Sequence, residues 1–198
     1  MKIRDKRISD QRLLLSNVEI NSLGPDLVLE NCDIHSDCQS KALTISGLTM
    51  TGGRFVQQDR ALTDFHFERA HFWGVKFLGD FNGCTFGDWD SVEVSSIRDC
   101  DFTEAGLEDS RFLNCEIESI RLPKWPAFTI VNPAEAREFV MSRPWPSKTR
   151  IALDVYTDTD PECVAICGDA AQLAKRDDIP LDELRTLLKA VPGMKIIG

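Results

Sequence analysis

The chain has no run of 18 apolar residues, so nothing in it reads as a membrane-spanning helix. Its charged start, MKIRDKRISDQR, leads into no apolar stretch of the kind a secretory leader carries. Seven cysteines are present, but no two are spaced C-x-x-C, which disfavours a tetrahedral zinc site. An odd cysteine count without an export signal points to reduced thiols and a cytoplasmic setting. Basic charge is the scarcer sign. There are 23 Lys and Arg against 32 Asp and Glu, a net of −9, which argues against a general binder of nucleic acid. Disorder is excluded by the 42% of hydrophobic residues, and 198 residues suffice for one good-sized domain with a small appendage.

Catalytic constellations are equally scarce. His66 and His71 each precede an apolar residue and read as outward-facing neighbours, not as converging ligands. His35 falls in a stretch, 35–42, that reads as a bulged loop without a base or nucleophile beside it. Cys163 and Cys167 are four apart, which suits one face of a helix and core packing. Asp158-Thr159-Asp160 resembles a metal-binding D-x-D pair but lacks a nucleotide-binding sheet around it, so a helix cap is the better reading. Gly52-Gly53 is a turn and not a phosphate loop. The expectation is a non-enzyme with no catalytic residues, no metal and no cofactor.

What the chain does have is a period of five. Stepping from Leu62 reaches Phe67, Phe72, Phe77, Asn82, Gly87, Val92, Ile97, Phe102, Leu107, Phe112, Ile117 and Leu122. The two failures, Asn82 and Gly87, each follow a phenylalanine (Phe81 and Phe86), so the frame slips by one residue there. Two places before these positions the chain is mostly small: Ala70, Gly79, Cys84, Ser95, Cys100, Ala105, Ser110 and Cys115. Helices repeat near 3.6 residues and strands near 2, so five fits neither. A fixed short period implies a solenoid. Four units would close a coil of twenty, with Phe77, Ile97 and Ile117 in one inward column and Phe72, Val92 and Phe112 in another. Further toward the N-terminus, Val18, Leu23, Ile34, Leu43, Leu48 and Phe55 are inward candidates with broken spacing.

Cys32-Asp33-Ile34 and Cys100-Asp101-Phe102 match a pattern of small residue, Asp or Asn, then Leu or Phe, and Ala105-Gly106-Leu107 matches two of its places. On these residues the stretch 62–122 resembles the pentapeptide-repeat family. The resemblance implies a mainly β fold, a right-handed quadrilateral β-helix over residues 1–122 (irregular over 1–61, regular over 62–122). Residues 123–198 then form a small α-helical cap or subdomain. Pro123 and Pro126 end the ladder. Asn132-Pro133 opens a helix to about Ser142. Residues 149–156 stay ambiguous between strand and helix. Asp160-Pro161 opens a helix to about Lys175, and Pro180 opens another with Leu181, Leu184, Leu187, Leu188 and Val191 on one face.

Charge is unevenly spread. Residues 1–12 carry a net of +3, residues 13–122 a net of −11, and the remainder a net of −1. Inward positions are apolar, so the acids of the solenoid face out. Arg98 with Glu118 and Asp101 with Arg121 are expected pairs one coil apart. Glu68, Asp88 and Glu108 are twenty apart and would stack as a like-charge ladder, which is destabilising. With Glu93, Glu104 and Asp109 they are the candidate partner-binding residues. An acidic, rigid rod suits a protein-binding module that steers a basic target. The favoured expectation is an immunity or inhibitor protein that neutralises a cognate toxin. Some members of the resembling family mimic duplex DNA and inhibit or protect a topoisomerase such as gyrase, which makes a DNA mimic the alternative. The partner in either case is a protein, with no direct contact to nucleic acid or membrane. The chain is expected to be a monomer, or a homodimer through its C-terminal helices.

Overall fold

Short strands separated by turn residues wind the chain into stacked coils. The computed structural model describes all residues, 1–198. It is a parallel β-solenoid of about five turns with an α/β cap on its last turns. The first coil holds β1 (Lys2–Ile3), β2 (Lys6–Ser9) and β3 (Arg12–Leu15). The second holds β4 (Asn21–Leu23), β5 (Leu27–Glu30) and β6 (Asp33–Ser36). The third holds β7 (Leu43–Ile45), β8 (Leu48–Thr51), β9 (Arg54–Gln57) and β10 (Leu62–Thr63). The fourth holds β11 (His71–Trp73), β12 (Lys76–Asn82) and β13 (Thr85–Phe86). The fifth holds β14 (Ser96–Arg98), β15 (Asp101–Gly106) and β16 (Arg111–Leu113). Equivalent strands pair in parallel: β2, β5, β8, β11 and β14 form one column, and β3, β6, β9, β12 and β15 another.

The register corrects the expected columns. Lys6 pairs with Leu27 and Leu27 with Leu48, whereas His71 pairs with Ser96. The offset is therefore 21 to 22 in the first coils along these columns, 19 where Leu62 pairs with Phe81 and His66 bridges Thr85, and 25 to 26 in the later coils, and it returns to 20 where Asp101 bridges Arg121. Phe77 does not stand over Ile97. It stands between Phe55 and Phe102, with rings 5.9 Å and 4.4 Å away and nearly parallel. Phe86 sits between Phe67 and Phe112 in the same manner, at 4.8 Å and 5.3 Å. Phe72 pairs with Met50 below and Ile97 above. The cause lies between Phe86 and Ile97. The inward positions there are eleven residues apart instead of five, and the extra length leaves the coil as a loop over 88–94. Val92, expected inward, lies on that loop and is exposed, as is Val18 near the N-terminus.

The small inward residues serve the coil below. Cys32, Cys84 and Cys100 donate their thiols to the carbonyls of Ile8, Leu62 and Phe72 at 3.4 Å. Ser95 Oγ donates to the Ala70 carbonyl at 2.6 Å, and Ser110 Oγ donates to that of Phe81. A buried carbonyl without a donor is costly, so a small side chain that is also a donor suits this position.

Corners explain much of the acid content. The chain turns through left-handed backbone, which favours Gly, Asn and Asp. Asp10, Asn31, Gly52, Gly74 and Asp99 all have φ between 51° and 65°. They stack, since the amides of Asp10, Asn31, Gly52 and Gly74 donate to Glu30, Thr51, Trp73 and Arg98 in successive coils. Gly53 (φ 76°) is tighter still: a Cβ there would lie 2.0 Å from the Cys32 carbonyl oxygen. Asp5, Asp26, Asp59, Asp64 and Asp109 occupy other left-handed corners.

The cap starts with β17 (Ala127–Val131), followed by α1 (Pro133–Met141) and α2 (Ser147–Thr157). Then come β18 (Cys163–Asp169), α3 (Ala170–Asp177), α4 (Leu181–Leu188) and β19 (Met194–Lys195). The helix expected from Asp160-Pro161 is a strand up to Asp169, because β18 supplies the antiparallel partner for both β16 and β17. Asp169 then caps α3, accepting from the amides of Ala171 and Gln172. Asn132 does not cap α1 with its side chain; it takes a left-handed turn at φ 48°. His35 and Ser36, expected in a loop, belong to β6. The Asp158-Thr159-Asp160 stretch follows the end of α2, where Asp158 meets Arg137 at 3.5 Å. Leu184, Leu188 and Val191 are buried in a second core with Phe128, Ile130, Val140, Leu153, Ile166 and Leu173, so most of the α4 apolar face packs within the cap.

Candidate functional site

Eight phenylalanines, Phe55, Phe67, Phe72, Phe77, Phe81, Phe86, Phe102 and Phe112, fill the solenoid axis and are fully buried. Anything the solenoid binds must therefore meet its outside. No group of three His, Cys, Asp or Glu side chains converges as a metal ligand set. His71 Nδ1 lies 2.7 Å from Ser96 Oγ, which also accepts from Trp73 Nε1 at 3.1 Å. Burial lowers the His71 pKa below its ordinary value. Cys163 and Cys167 lie on β18, not on a helix, and both are buried. Burial pushes the Cys167 thiol up to about 12, and Cys84, Cys100 and Cys115 likewise.

The six candidate acids separate. Glu68, Asp88 and Glu108 do not form one continuous ladder. The amide of Gly83 donates to the Glu108 carbonyl, while Asn114 Nδ2 donates to the Asp88 carbonyl, so the last two stand over different positions. Between the last two the offset is 25 or 26 in place of 20, whereas beside Glu68 the bridge of His66 to Thr85 spans 19 residues. Glu104 forms an ion pair with Lys76. Glu108 and Asp109 meet the cap: Arg176 lies 2.9 Å from Glu108, and Tyr156 donates its hydroxyl to Asp109. Burial, with the charges of Asp109 and Asp169, raises the Glu108 carboxyl above its usual range against the pull of Arg176. Burial and the same Asp109 raise the Tyr156 hydroxyl. Of the two expected pairs, Asp101 and Arg121 meet at 3.2 Å. Arg98 instead lies 4.4 Å over the Trp73 ring, and Glu118 pairs with Lys195.

Asp88 and Glu93 remain together, on the loop that breaks the period. The loop is held at its base. Asn114 Nδ2 donates to the carbonyls of Asp88 and Trp89 at 2.8 Å and 3.0 Å, and the Asp90 amide donates to the Asp88 carboxylate at 2.9 Å. The Ser91 hydroxyl accepts from the Glu93 amide at 3.0 Å. Beyond that base Trp89 is 39% and Val92 53% exposed, on a segment that also carries Asp88, Asp90 and Glu93. Beside it is a hollow of about 420 Å³ lined by Trp73, Val92, Glu93, Ser96 and Arg98 among others. An apolar tip in an acidic setting is suited to meeting a basic surface with an apolar dimple. Spacing alone hides Val92, because it falls on the five-residue step. The signal that could have found it is the pair of missed steps just before it, with Trp89 between two aspartates.

No family model matches the chain, and no curated protein or solved structure matches it at a significant level.

Proposed function

We propose that this chain is a non-enzymatic protein-binding module that docks on and neutralises a basic partner, in the manner of an immunity or inhibitor protein. The observation that carries the reading is the loop over 88–94, which projects an exposed Trp89 and Val92 among three acids from an otherwise stacked coil. A tryptophan anchor supplies binding energy in a desolvated centre, and the surrounding acids steer a cationic partner toward it. The stacked core supplies rigidity, so little order is lost on docking. In the same reading the coil is the four-sided one of pentapeptide-repeat proteins. In support, Ile97, Phe102, Leu107, Phe112, Ile117 and Leu122 are all buried at intervals of five. A DNA mimic is the alternative reading, supported by the net charge of the solenoid, although Asp88 and Glu108 stand over different positions.

The test is affinity capture from the source cell with the wild type and with a Trp89→Ala/Val92→Ser variant, both changes being at exposed positions. The wild type is expected to retain a basic protein that salt releases, and to suppress that protein's toxicity on co-expression. The variant is expected to lose both. Capture by the variant at wild-type level, or a bound protein whose activity is unaffected, refutes the reading. Inhibition or quinolone protection in a gyrase supercoiling assay would favour the alternative.

A further inference from the structure

One corner of the solenoid breaks the rule that the others keep. Twelve residues other than glycine take left-handed backbone, and eleven of them are Asp or Asn; the twelfth is Arg69, at φ 49°. A short Asp or Asn side chain tolerates that conformation, whereas a long one with no local hydrogen bond to offer is strained in it. Arg69 belongs to a stacked column. Lys6, Leu27 and Leu48 are in register, as are Thr49 and His71, so Asp5, Asp26, Gly47 and Arg69 stand one over another. All four have positive φ, at 51°, 52°, 73° and 49°. His71 is also in register with Ser96, which carries the same position to Val94, the last residue of the loop over 88–94. Arg69 is thus one coil below the foot of that loop, roughly 4.8 Å away along the stack.

Gly47 contributes no side chain between Asp26 and Arg69, and a groove of about 600 Å³ lies there. The row of Val28, Thr49 and His71 lines it from the sheet, and Glu93 and Val94 line it from the loop. Nothing inside the chain uses the Arg69 side chain. It is exposed, it takes part in none of the ten ion pairs, it donates no hydrogen bond and it lies over no aromatic ring. The acids nearest it in the groove, Asp26 and Glu93, are equally without an ion-pair partner. A strained residue with no compensating contact in its own chain, at the edge of a docking loop, marks a side chain kept for a contact outside the chain.

We propose that Arg69 is a specificity residue of the docking surface, its guanidinium receiving a carboxylate of the partner in the groove beside Glu93 and Val94. This rests on docking through the loop over 88–94 and adds that the partner is not basic throughout: it presents an acid next to the cations that meet the loop. A guanidinium holds a carboxylate by two parallel hydrogen bonds, and one cation among acids rejects partners that offer only positive charge. The test compares the full chain with its Arg69→Asn and Arg69→Glu variants against the purified basic protein that the wild type retains. Arg69→Asn should melt about 2–4 °C higher, because the left-handed corner is relieved, yet bind about tenfold more weakly. Arg69→Glu should bind more weakly still. A structural role cannot give a gain in stability together with a loss of binding. A lower melting temperature for Arg69→Asn would assign the side chain to the fold, and unchanged or tighter binding by either variant would mean that no acid faces Arg69; each overturns the inference. If Trp89→Ala/Val92→Ser loses binding while both Arg69 variants keep it, docking through the loop stands and the role of Arg69 alone falls. If the wild type retains no protein, both fall.

Discussion

The stacking of Phe77 on Phe102 can be tested in solution against the twenty-residue register that would place Phe77 over Ile97. Both phenylalanines are fully buried, their centroids are 4.4 Å apart and their planes differ by 4°. Phe77 also has Phe72, Phe81 and Phe86 around it at 5.2–5.5 Å, edge to face. Phe77→Leu or Phe102→Leu should each cost about 1–2 kcal/mol, well under the ~3–5 kcal/mol of truncation to alanine, so the variants stay folded. An aromatic pair is worth about 0.5–1.5 kcal/mol beyond the area it buries. The double variant should therefore be less destabilised than the sum of the singles by about that amount. A parallel cycle of Phe77→Leu with Ile97→Val should give a smaller coupling, because Ile97 stands over Phe72. Phe77→Leu with Leu184→Val, across two separate cores, should be additive within ~0.5 kcal/mol. Urea unfolding with equal m-values supplies all three numbers. A Phe77–Ile97 coupling equal to or above that of Phe77–Phe102 would refute the 25-residue offset.

Three further outcomes follow from particular residues. Asp99→Ala should destabilise by about 1–2 kcal/mol and Asp99→Gly should be near neutral, because φ is 54° at that corner; equal costs in thermal unfolding would mean the carboxylate itself matters. Asp177 accepts from the amides of Lys148 and Thr149 and from the Thr149 hydroxyl, at 2.7 Å each. Burial raises its pKa, but those hydrogen bonds outweigh it and the carboxyl lies below the usual range. Asp177→Ala should therefore cost about 1–2 kcal/mol at pH 7. Since the folded pKa is depressed, this contribution is complete above the ordinary carboxylate pKa and is lost as pH falls through the folded value, so the gap between wild type and variant should close on acidification. Native protein at pH 8 should react with less than about one equivalent of Ellman's reagent, and unfolded protein with all seven thiols, since six of them are buried, Cys115 is half-buried, and several are pushed up to about 12; fast reaction of the native protein would contradict the packing.

Legibility differed along the chain for reasons that can be named. The inward set from Ile97 to Leu122 could be read because each side chain announces its own burial at a fixed step. The slip at Phe81 and Phe86 was visible for the same reason, and both are fully buried. The first coils looked irregular because their step differs, yet Lys6, Leu27 and Leu48 stack evenly at 21 residues. The strand at Cys163–Asp169 is not legible as a strand, because a short apolar run carries no period that separates strand from helix. Glu68, Asp88 and Glu108 are candidates by spacing alone, and the longer offset separates Asp88 from Glu108.

The amino-acid order by itself determined that this chain encloses a column of aromatic and aliphatic side chains and turns its carboxylates outward, because burial and backbone handedness are properties each residue carries locally. Asp and Gly mark the corners, and Cys and Ser mark the narrow inward places. Only the tertiary structure decided which coil stands over which, because stacking depends on how many residues leave the spiral as a loop, and that is a count no single side chain records. It alone brought Arg176 to Glu108 and Tyr156 to Asp109, across separations of 68 and 47 residues, and so tied the cap to the solenoid.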